Sequence, residues 1–226
     1  MKKQNINYLR AFKLLFTKPK LFFSELNRNI NILIPIILIA IVMGAVAYMT
    51  IDKQGFILEK QAFYESLNRE APPLEELNQA YVSQIVSFMV GPLLELLVKS
   101  ALVAGLATIA GGYGSVKHAY SIAVYSYMPV IIGRVIMAIF TGTPDATLSL
   151  AMLMPQLDGS FIYYALNQMD LFVIIYQILM IIGVEEIFDV DRKRAIFTVL
   201  CPWMLWIAIK AGFQNMDYHY GTDILI

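Results

Sequence analysis

Long apolar runs alternate with short polar segments along the chain, and this pattern predicts an all-α integral membrane protein with five transmembrane helices. The spans are expected at about residues 30–51, 92–110, 116–140, 161–188 and 195–212. These lengths are close to, or above, the roughly 20 apolar residues that an α-helix needs to cross a bilayer. The first run is too long for the core of a cleaved signal peptide, so we expect it to be retained as a span.

Glycine and proline residues are expected to interrupt several of the apolar runs. Gly91-Pro92 predicts a break before the second span, so that Leu74–Val90 forms a separate helical piece. Gly111–Gly114 predicts a tight turn that joins spans two and three as an antiparallel hairpin. Pro129 is expected to kink the third span, and Pro202 lies inside the fifth. The fourth span is longer than the bilayer requires and is expected to tilt or project.

Residues 1–29 form a predicted cytoplasmic amphipathic segment. Apolar and basic side chains recur there at three- and four-residue spacing on opposite sides, which predicts an interfacial helix over Asn5–Thr17. A second short helix is expected over Pro19–Asn27, because proline suits a first helical turn. The residues expected to contact the lipid surface are Arg10, Lys13, Lys18 and Lys20. The alternative is that the first helix packs on the protein's own cytoplasmic face.

The distribution of Lys and Arg between the loops predicts the orientation. With five spans, eleven of these residues lie on the side of the N-terminus and four on the other side. The positive-inside rule then places the N-terminus in the cytoplasm and the C-terminus outside, in the inner (cytoplasmic) membrane of the cell. Residues 213–226 are expected to form a weakly ordered extracytoplasmic tail.

Three charged residues, Glu95, Lys99 and Arg134, are expected at similar depth within the second and third spans. Glu95 and Lys99 share a helix face at a spacing of four residues, in the order that favours an ion pair. Asp170 and Gln177 of the fourth span could join them. One interpretation is a salt-bridge staple between two spans, because an unpaired intramembrane charge is costly. The other is a polar pocket that binds a lipid headgroup or an anionic solute.

A second group of charges lies between the fourth and fifth spans. The acidic residues Glu185, Glu186, Asp189 and Asp191 are followed at once by Arg192–Arg194. We interpret this segment as a solvated, self-neutralising turn in which Asp191 caps the fifth span. The alternative is a docking surface for a cytoplasmic or membrane partner.

Composition agrees with a membrane protein and argues against several classes of function. The chain of 226 residues is 58% hydrophobic and 15% charged, with a mean hydropathy of +0.63. Its formal net charge is zero, so no overall field would attract nucleic acid. Cys201 is the single cysteine, and His118 and His219 are far apart, so neither a metal site nor a cofactor is predicted. Because the nucleotide-binding and hydrolase motifs are also missing, we do not expect an enzyme.

The order of three short motifs resembles a known family. Gly91-Pro92-Leu93 opens the second span, Gly112-Tyr113-Gly114 follows the predicted turn, and Tyr125–Pro129 (YSYMP) lies in the third span. Together they resemble the Yip domain family of Ypt/Rab-interacting membrane proteins, in its bacterial branch, and the segment Thr17–Leu26 is similar to the one that precedes the first span there. The resemblance implies a five-span helical fold with a cytoplasmic N-terminus. Phe88 stands where eukaryotic members carry an acidic residue, so Rab-linked trafficking roles are not expected.

These features favour a non-enzymatic integral membrane protein that scaffolds or regulates. Its expected partners are membrane lipids and a membrane protein, and not nucleic acid. One alternative is a transporter or lipid-translocating protein that uses the charges within spans two and three. Another is an accessory subunit of an ABC-type export complex, because some bacterial members of the family are expected beside export systems.

Overall fold

The structure, a computed structural model, describes residues 8–28, 32–143 and 146–220, and this part of the chain is helical without a β-strand. Two short 3-10 turns, Leu150–Leu153 and Pro155–Leu157, lie between the seventh and eighth α-helices. The ten α-helices of the described residues are α1 (Tyr8–Thr17), α2 (Pro19–Arg28), α3 (Leu33–Thr50), α4 (Lys53–Ser66), α5 (Leu74–Ile109), α6 (Val116–Ser126), α7 (Met128–Thr141), α8 (Phe161–Asn167), α9 (Leu171–Phe188) and α10 (Arg192–Tyr220).

Five helical segments of the described residues are long and apolar enough to cross a membrane. They are Leu33–Thr50, Leu74–Ile109, Val116–Thr141, Leu171–Phe188 and Arg192–Met216. The predicted all-α fold with five membrane spans is therefore confirmed. Residues 30 and 31, where the first span was expected to begin, lie outside the described residues.

The predicted break at Gly91-Pro92 is wrong. Helix α5 runs without interruption for 36 residues, with Pro92 inside it. One proline removes a single backbone hydrogen bond, and membrane helices tolerate this loss where neighbouring groups satisfy the freed carbonyl. The helical piece before the break and the predicted span after it are therefore one helix.

The third span is interrupted close to where the sequence predicted a kink. Helix α6 ends at Ser126 and α7 begins at Met128, so Tyr127 separates them. Pro129 is the second residue of α7. A proline costs little in a first helical turn, because the amide it lacks has no partner within the helix there. Proline therefore marks the beginning of a new helix here rather than the bend of a continuous one.

The prediction of a single helix over residues 161–188 as the fourth span is wrong, because this segment forms two helices, α8 and α9. Asp170 is the N-terminal cap of α9, and its Oδ1 accepts hydrogen bonds from the amides of Phe172 and Val173. Aspartate favours such caps because its short side chain competes with the helix for backbone groups. Helix α9 alone has 18 residues, which is near the length of a span.

The helix of the fifth span, α10, is longer than expected. The prediction of weak order from residue 213 is wrong as far as Tyr220. Helix α10 continues to Tyr220, while residues 221–226 lie outside the described residues. Two side-chain contacts fix its last turns. The Gln168 amide nitrogen donates to Gln214 Oε1 at 3.3 Å, and Asn215 Nδ2 donates to the Gly159 carbonyl at 3.0 Å.

The described residues form two compact units. The first includes those within 1–32, 96–130 and 148–226. Within it α9 contacts α2, α6 and α10. Gly183 of α9 allows this close packing, because a Cβ there would collide with Ile122 of α6 and lie 3.1 Å from the Phe23 ring of α2. Phe23, Ile122 and Phe188 are fully buried and form the centre of the first unit.

The second unit comprises residues 33–95 and 131–147. Within it Met89 of α5 packs directly on Gly44 of α3, where a Cβ would lie only 2.6 Å from Met89 Cγ. The rings of Phe56 and Tyr81 meet edge to face at 5.9 Å. Asp52 caps the exposed start of α4 by accepting from two backbone amides.

Candidate functional site

Helix α1 presents an exposed aromatic and basic face on a helix that is fixed from its other side. Leu15 is 1% exposed, whereas Phe12 and Phe16 are 46% and 43% exposed. The two phenylalanine rings contact each other edge to face at 5.1 Å. The basic residues Arg10 and Lys13 of α1 are exposed as well. We call these exposed residues of α1, together with Lys18 directly after it, the N-terminal surface, and its members are Arg10, Phe12, Lys13, Phe16 and Lys18.

Helix α2 attaches the N-terminal surface to the first unit. Phe22, Phe23 and Leu26 are buried, and the Phe22 ring meets the Tyr125 ring edge to face at 5.2 Å. Helix α2 contacts both α1 and α9. The predicted helices over Asn5–Thr17 and Pro19–Asn27 are confirmed in their described residues. One side of α1 packs on the protein, as in the second interpretation of the sequence, whereas contact of its exposed side with lipid stays a prediction.

Lys20 differs from the other basic residues expected at the lipid surface. Its Nζ lies 2.6 Å from Glu185 Oε1 of α9, and the two side chains are 57% and 18% exposed. The second carboxylate oxygen of Glu185 is buried and has no hydrogen-bond partner among the described residues. Lys20 therefore neutralises a mostly buried carboxylate and fixes α2 to α9, whereas contact of Arg10, Lys13 and Lys18 with lipid stays a prediction.

Removing Lys20 is expected to lower stability because Glu185 then keeps a buried charge without its partner. We expect Lys20→Ala to lower the free energy of unfolding by about 1 kcal/mol, the scale for a partly exposed ion pair. Thermal unfolding in detergent would measure Lys20→Ala, Glu185→Ala and the double variant. The double variant should lose less than the two single losses added together. Strict additivity would show that the pair contributes nothing.

A glycine turn packs against the end of α9. Gly111 has a φ of 88°, and the Gly111 and Gly112 amides donate to the carbonyls of Thr108 and Ala107, which is the Schellman pattern that ends a helix. The Tyr113 amide donates to the Phe188 carbonyl at 2.9 Å. A Cβ on Gly112 would lie 3.0 Å from that same carbonyl oxygen, and one on Gly114 would collide with the Phe188 ring. The predicted tight turn is confirmed, and only glycine fits this close approach.

The charged segment after α9 meets the same turn. Asp191 Oδ1 accepts from the Lys193 and Arg194 amides, so the predicted cap of the fifth span is confirmed. Arg194 Nε lies 3.0 Å from Asp191 Oδ2, and its Nη1 donates to the Ala110 carbonyl at 2.9 Å. Asp189 is in the left-handed conformation, with a φ of 53°, where it ends α9. Asp191 and Arg194 of this segment thus stabilise the turn, whereas a docking role for the segment stays a prediction.

The structure gives the predicted intramembrane charges the following surroundings. Glu95 and Lys99 lie one turn apart on α5. Lys99 Nζ is 5.7 Å from the centroid of the Trp206 ring in α10. Arg134 Nη1 is 3.5 Å from the Ala146 carbonyl within the second unit. A joint cluster of Glu95, Lys99 and Arg134 stays a prediction.

Asp170 and Gln177 are both buried in the first unit. Asp170 Oδ2 accepts from the Leu148 amide at 2.7 Å, in addition to the two cap bonds to its Oδ1. Both carboxylate oxygens thus stabilise the backbone, which gives Asp170 a capping role. Gln177 lies near the middle of α9.

Sequence reasoning missed Trp206 as a partner of Lys99 and Lys210 as a second lysine at the same ring. Lys210 Nζ lies 5.6 Å from the same Trp206 ring centroid that Lys99 approaches. The spacing of Trp206 and Lys210 by four residues could have indicated a shared helix face. The approach of Lys99, which lies on a different helix, to the Trp206 ring cannot be predicted from local spacing.

No group of three or more His, Cys, Asp or Glu side chains that could hold a metal ion occurs among the described residues. Asp170 and Arg194 bind backbone groups, Lys20 and Glu185 pair with each other, and Lys99 and Lys210 lie near an aromatic ring. This arrangement can position helices and attract anions.

Comparison with protein families gives the decisive observation. The family model of the Yip1 domain matches residues 13–212. The chain belongs to the Yip1 domain family. Neither the search of curated proteins nor the search of solved structures found a match. With five helices that are apolar enough to span a bilayer, this Yip1-domain chain is a multi-pass membrane protein.

The motif residues of this Yip1-domain chain lie at two kinds of position. Gly91, Pro92 and Leu93 are inside the continuous helix α5, and no described atom would come within 4 Å of a Cβ on Gly91. Tyr127 and Pro129 lie where α6 gives way to α7. The Tyr127 ring meets the buried Tyr176 ring of α9 edge to face at 5.8 Å. The motif with Tyr127 and Pro129 therefore connects helices, whereas Gly91-Pro92-Leu93 is an open stretch of one helix.

Proposed function

We propose that this Yip1-domain protein is a non-enzymatic membrane scaffold that binds anionic lipid, and through it membrane partners, at the N-terminal surface. The observation that supports this most is the combination on α1 of a buried Leu15 with exposed Phe12, Phe16 and basic residues. A helix of this kind suits the plane of the lipid headgroups.

The two kinds of exposed side chain have separate roles in this proposal. Phe12 and Phe16 would enter the boundary between headgroups and acyl chains. Arg10, Lys13 and Lys18 would lie near phosphates, where each cation contributes about 1 kcal/mol at an anionic surface. With the predicted cytoplasmic N-terminus, the N-terminal surface would contact the inner leaflet of the cell membrane.

Because α2 is attached to α9, lipid binding at the N-terminal surface could affect the membrane helices. Phe23 is buried against Gly183 of α9, and Lys20 is paired with Glu185 on the same helix. A change in the contacts of α1 would therefore act on a fixed helix and not on a loose tail. This supports a scaffold or regulator whose bound partners respond to the lipid composition.

The proposal is tested by the depth of α1 in a bilayer. A nitroxide at Thr17→Cys, in a Cys201→Ser background, is placed in nanodiscs with and without phosphatidylglycerol. Collisions with oxygen and with a water-soluble nickel chelate then report the depth of the label by electron paramagnetic resonance. We expect headgroup depth when phosphatidylglycerol is present, and a return toward water with Lys13→Glu and Lys18→Glu combined. Lys20 stays unchanged because it is paired with Glu185.

A matched charge reversal elsewhere provides the control. Lys53→Glu with Lys60→Glu changes the net charge equally but lies on α4, so the label should keep its depth. A label that stays in water in anionic nanodiscs would contradict the proposal. Crosslinking and affinity purification from native membranes tests the second part, since the Lys13 and Lys18 reversal should reduce partner recovery. Recovery of an export ATPase that is unaffected by this reversal would favour the accessory-subunit alternative.

A further inference from the structure

Two lysines from different helices converge on one indole ring in the first unit. Lys99 of α5 and Lys210 of α10 place their Nζ atoms 5.7 Å and 5.6 Å from the Trp206 ring centroid. An indole attracts a cation by about 0.5–2 kcal/mol. Two ammonium groups at one ring also repel each other, and the repulsion is stronger where water is partly excluded. An anion between them would remove this repulsion.

The described residues supply little negative charge at this point. No carboxylate of the described residues forms an ion pair with Lys210, whose ammonium is placed by the Trp206 ring. Glu95 precedes Lys99 by one helical turn and can balance one of the two cations. Two lysines beside this one described carboxylate favour a bound anion.

The depth of Lys210 matches the headgroup region of a bilayer. Lys210 follows Arg192, the first residue of α10, by 18 positions. At 1.5 Å per residue the two lie about 27 Å apart along the helix, close to the thickness of the hydrocarbon core. If Arg192 is at one interface, Lys210 and Trp206 are at the other, where tryptophan is enriched in membrane proteins.

The surroundings of the two lysines suit a phospholipid better than a soluble anion. Leu102 follows Lys99 by three residues and Ile209 lies beside Lys210, and both are exposed and apolar. They could contact acyl chains below a headgroup. Gln214 follows Lys210 by one turn of α10 and so shares its helix face, and it is hydrogen bonded to Gln168 of α8.

We propose that Lys99, Trp206 and Lys210 form a binding site for a phosphate group, with an anionic phospholipid as its ligand. The site lies toward the other end of α10 from the Arg192–Arg194 turn, and it does not depend on the function proposed for the N-terminal surface. The lysines hold the phosphate through charge-assisted hydrogen bonds, and the indole keeps them in position. The net positive charge of the site selects against zwitterionic lipid.

The test uses the full chain in detergent with Trp203→Phe, so that Trp206 is the remaining tryptophan. Its fluorescence is followed while short-chain phosphatidylglycerol, short-chain phosphatidylcholine or inorganic phosphate is added. We expect saturable binding of phosphatidylglycerol and about tenfold weaker binding in Lys99→Gln and in Lys210→Gln. Lys53→Gln is the matched control, because Lys53 lies 5.9 Å from the Tyr81 ring in the second unit. It should bind like the parent chain.

The outcomes separate the sources of the phosphate. Inorganic phosphate that saturates the signal at the affinity of phosphatidylglycerol would support the site and show that the lipid tail is unnecessary. Equal binding of phosphatidylcholine, or unchanged affinity in both lysine variants, would overturn the proposal. Lys210→Arg retains the charge and should keep most of the affinity. This variant separates a loss of the phosphate contact from a general loss of folding.

Discussion

Asp170→Ala is expected to destabilise the protein by about 2–4 kcal/mol, because one carboxylate holds three backbone amides. Loss of the cap at α9 costs about 1 kcal/mol. The Leu148 amide, which donates to Asp170 Oδ2 at 2.7 Å, also loses its partner, and an unsatisfied buried group costs about 1–3 kcal/mol. Asp170 is itself only 7% exposed, so water cannot fully replace it. Thermal unfolding in detergent or nanodiscs measures the loss.

Asp52 provides a matched control for Asp170. It caps α4 through two amides, those of Gln54 and Gly55, at an exposed position. Asp52→Ala should cost about 0.5–2 kcal/mol, the ordinary range for a cap. Asp170→Asn keeps a good capping group and should fall between the parent chain and Asp170→Ala. Equal losses for the alanine variants at 52 and 170 would show that the bond to Leu148 adds nothing.

Gly183→Ala is expected to destabilise the packing of α2, α6 and α9. The new Cβ would collide with Ile122 and lie 3.1 Å from the Phe23 ring, and both side chains are fully buried. Overpacking of a filled core costs about 1–3 kcal/mol. The higher helix propensity of alanine offsets part of this cost, so the comparison needs a second glycine within a helix.

Gly105→Ala is that comparison, because it makes the same change where there is open space. Gly105 lies inside α5, and no described atom would come within 4 Å of its Cβ. This variant should gain the propensity term without the collision. We therefore expect the two variants to differ by about 1–3 kcal/mol, with Gly105→Ala at least as stable as the parent chain. Equal melting temperatures would contradict the packing described for α9.

The number and approximate position of the membrane helices could be predicted because length and hydropathy decide them locally. The interruptions depend on more. Pro92 and Pro129 both lie in apolar runs, yet the first is inside a helix and the second is in the first turn of one. Sequence spacing does not separate these cases, because a proline fits both the first turn of a helix and, at the loss of one backbone hydrogen bond, a helix interior. The interruption before α9 did have a signal in the sequence, because Asp170 stands directly before an apolar run, which is typical of a helix start.

The side chains that carry the proposals depend on contacts between distant parts of the chain. The basic and aromatic pattern of α1 could be read from its periodicity, and Leu15 is buried opposite Lys13 as that pattern predicts. The pairing of Lys20 with Glu185 could not be predicted, because the two residues are far apart in the sequence and no local pattern connects them. Lys99 was noticed as a charge in an apolar run, but its contact with Trp206 joins two distant parts of the chain and has no local pattern.

The pairing of α2 with α9 has a consequence for how the protein is made. Lys20 and Glu185 are 165 residues apart, so the ribosome completes most of the chain before α2 meets the helix on which it packs. At 5–20 residues per second, this interval lasts roughly 10–30 seconds. During that time Phe22 and Phe23 lack their final neighbours. A nascent chain with its first two helices lying on lipid would keep these rings out of water until α9 is inserted.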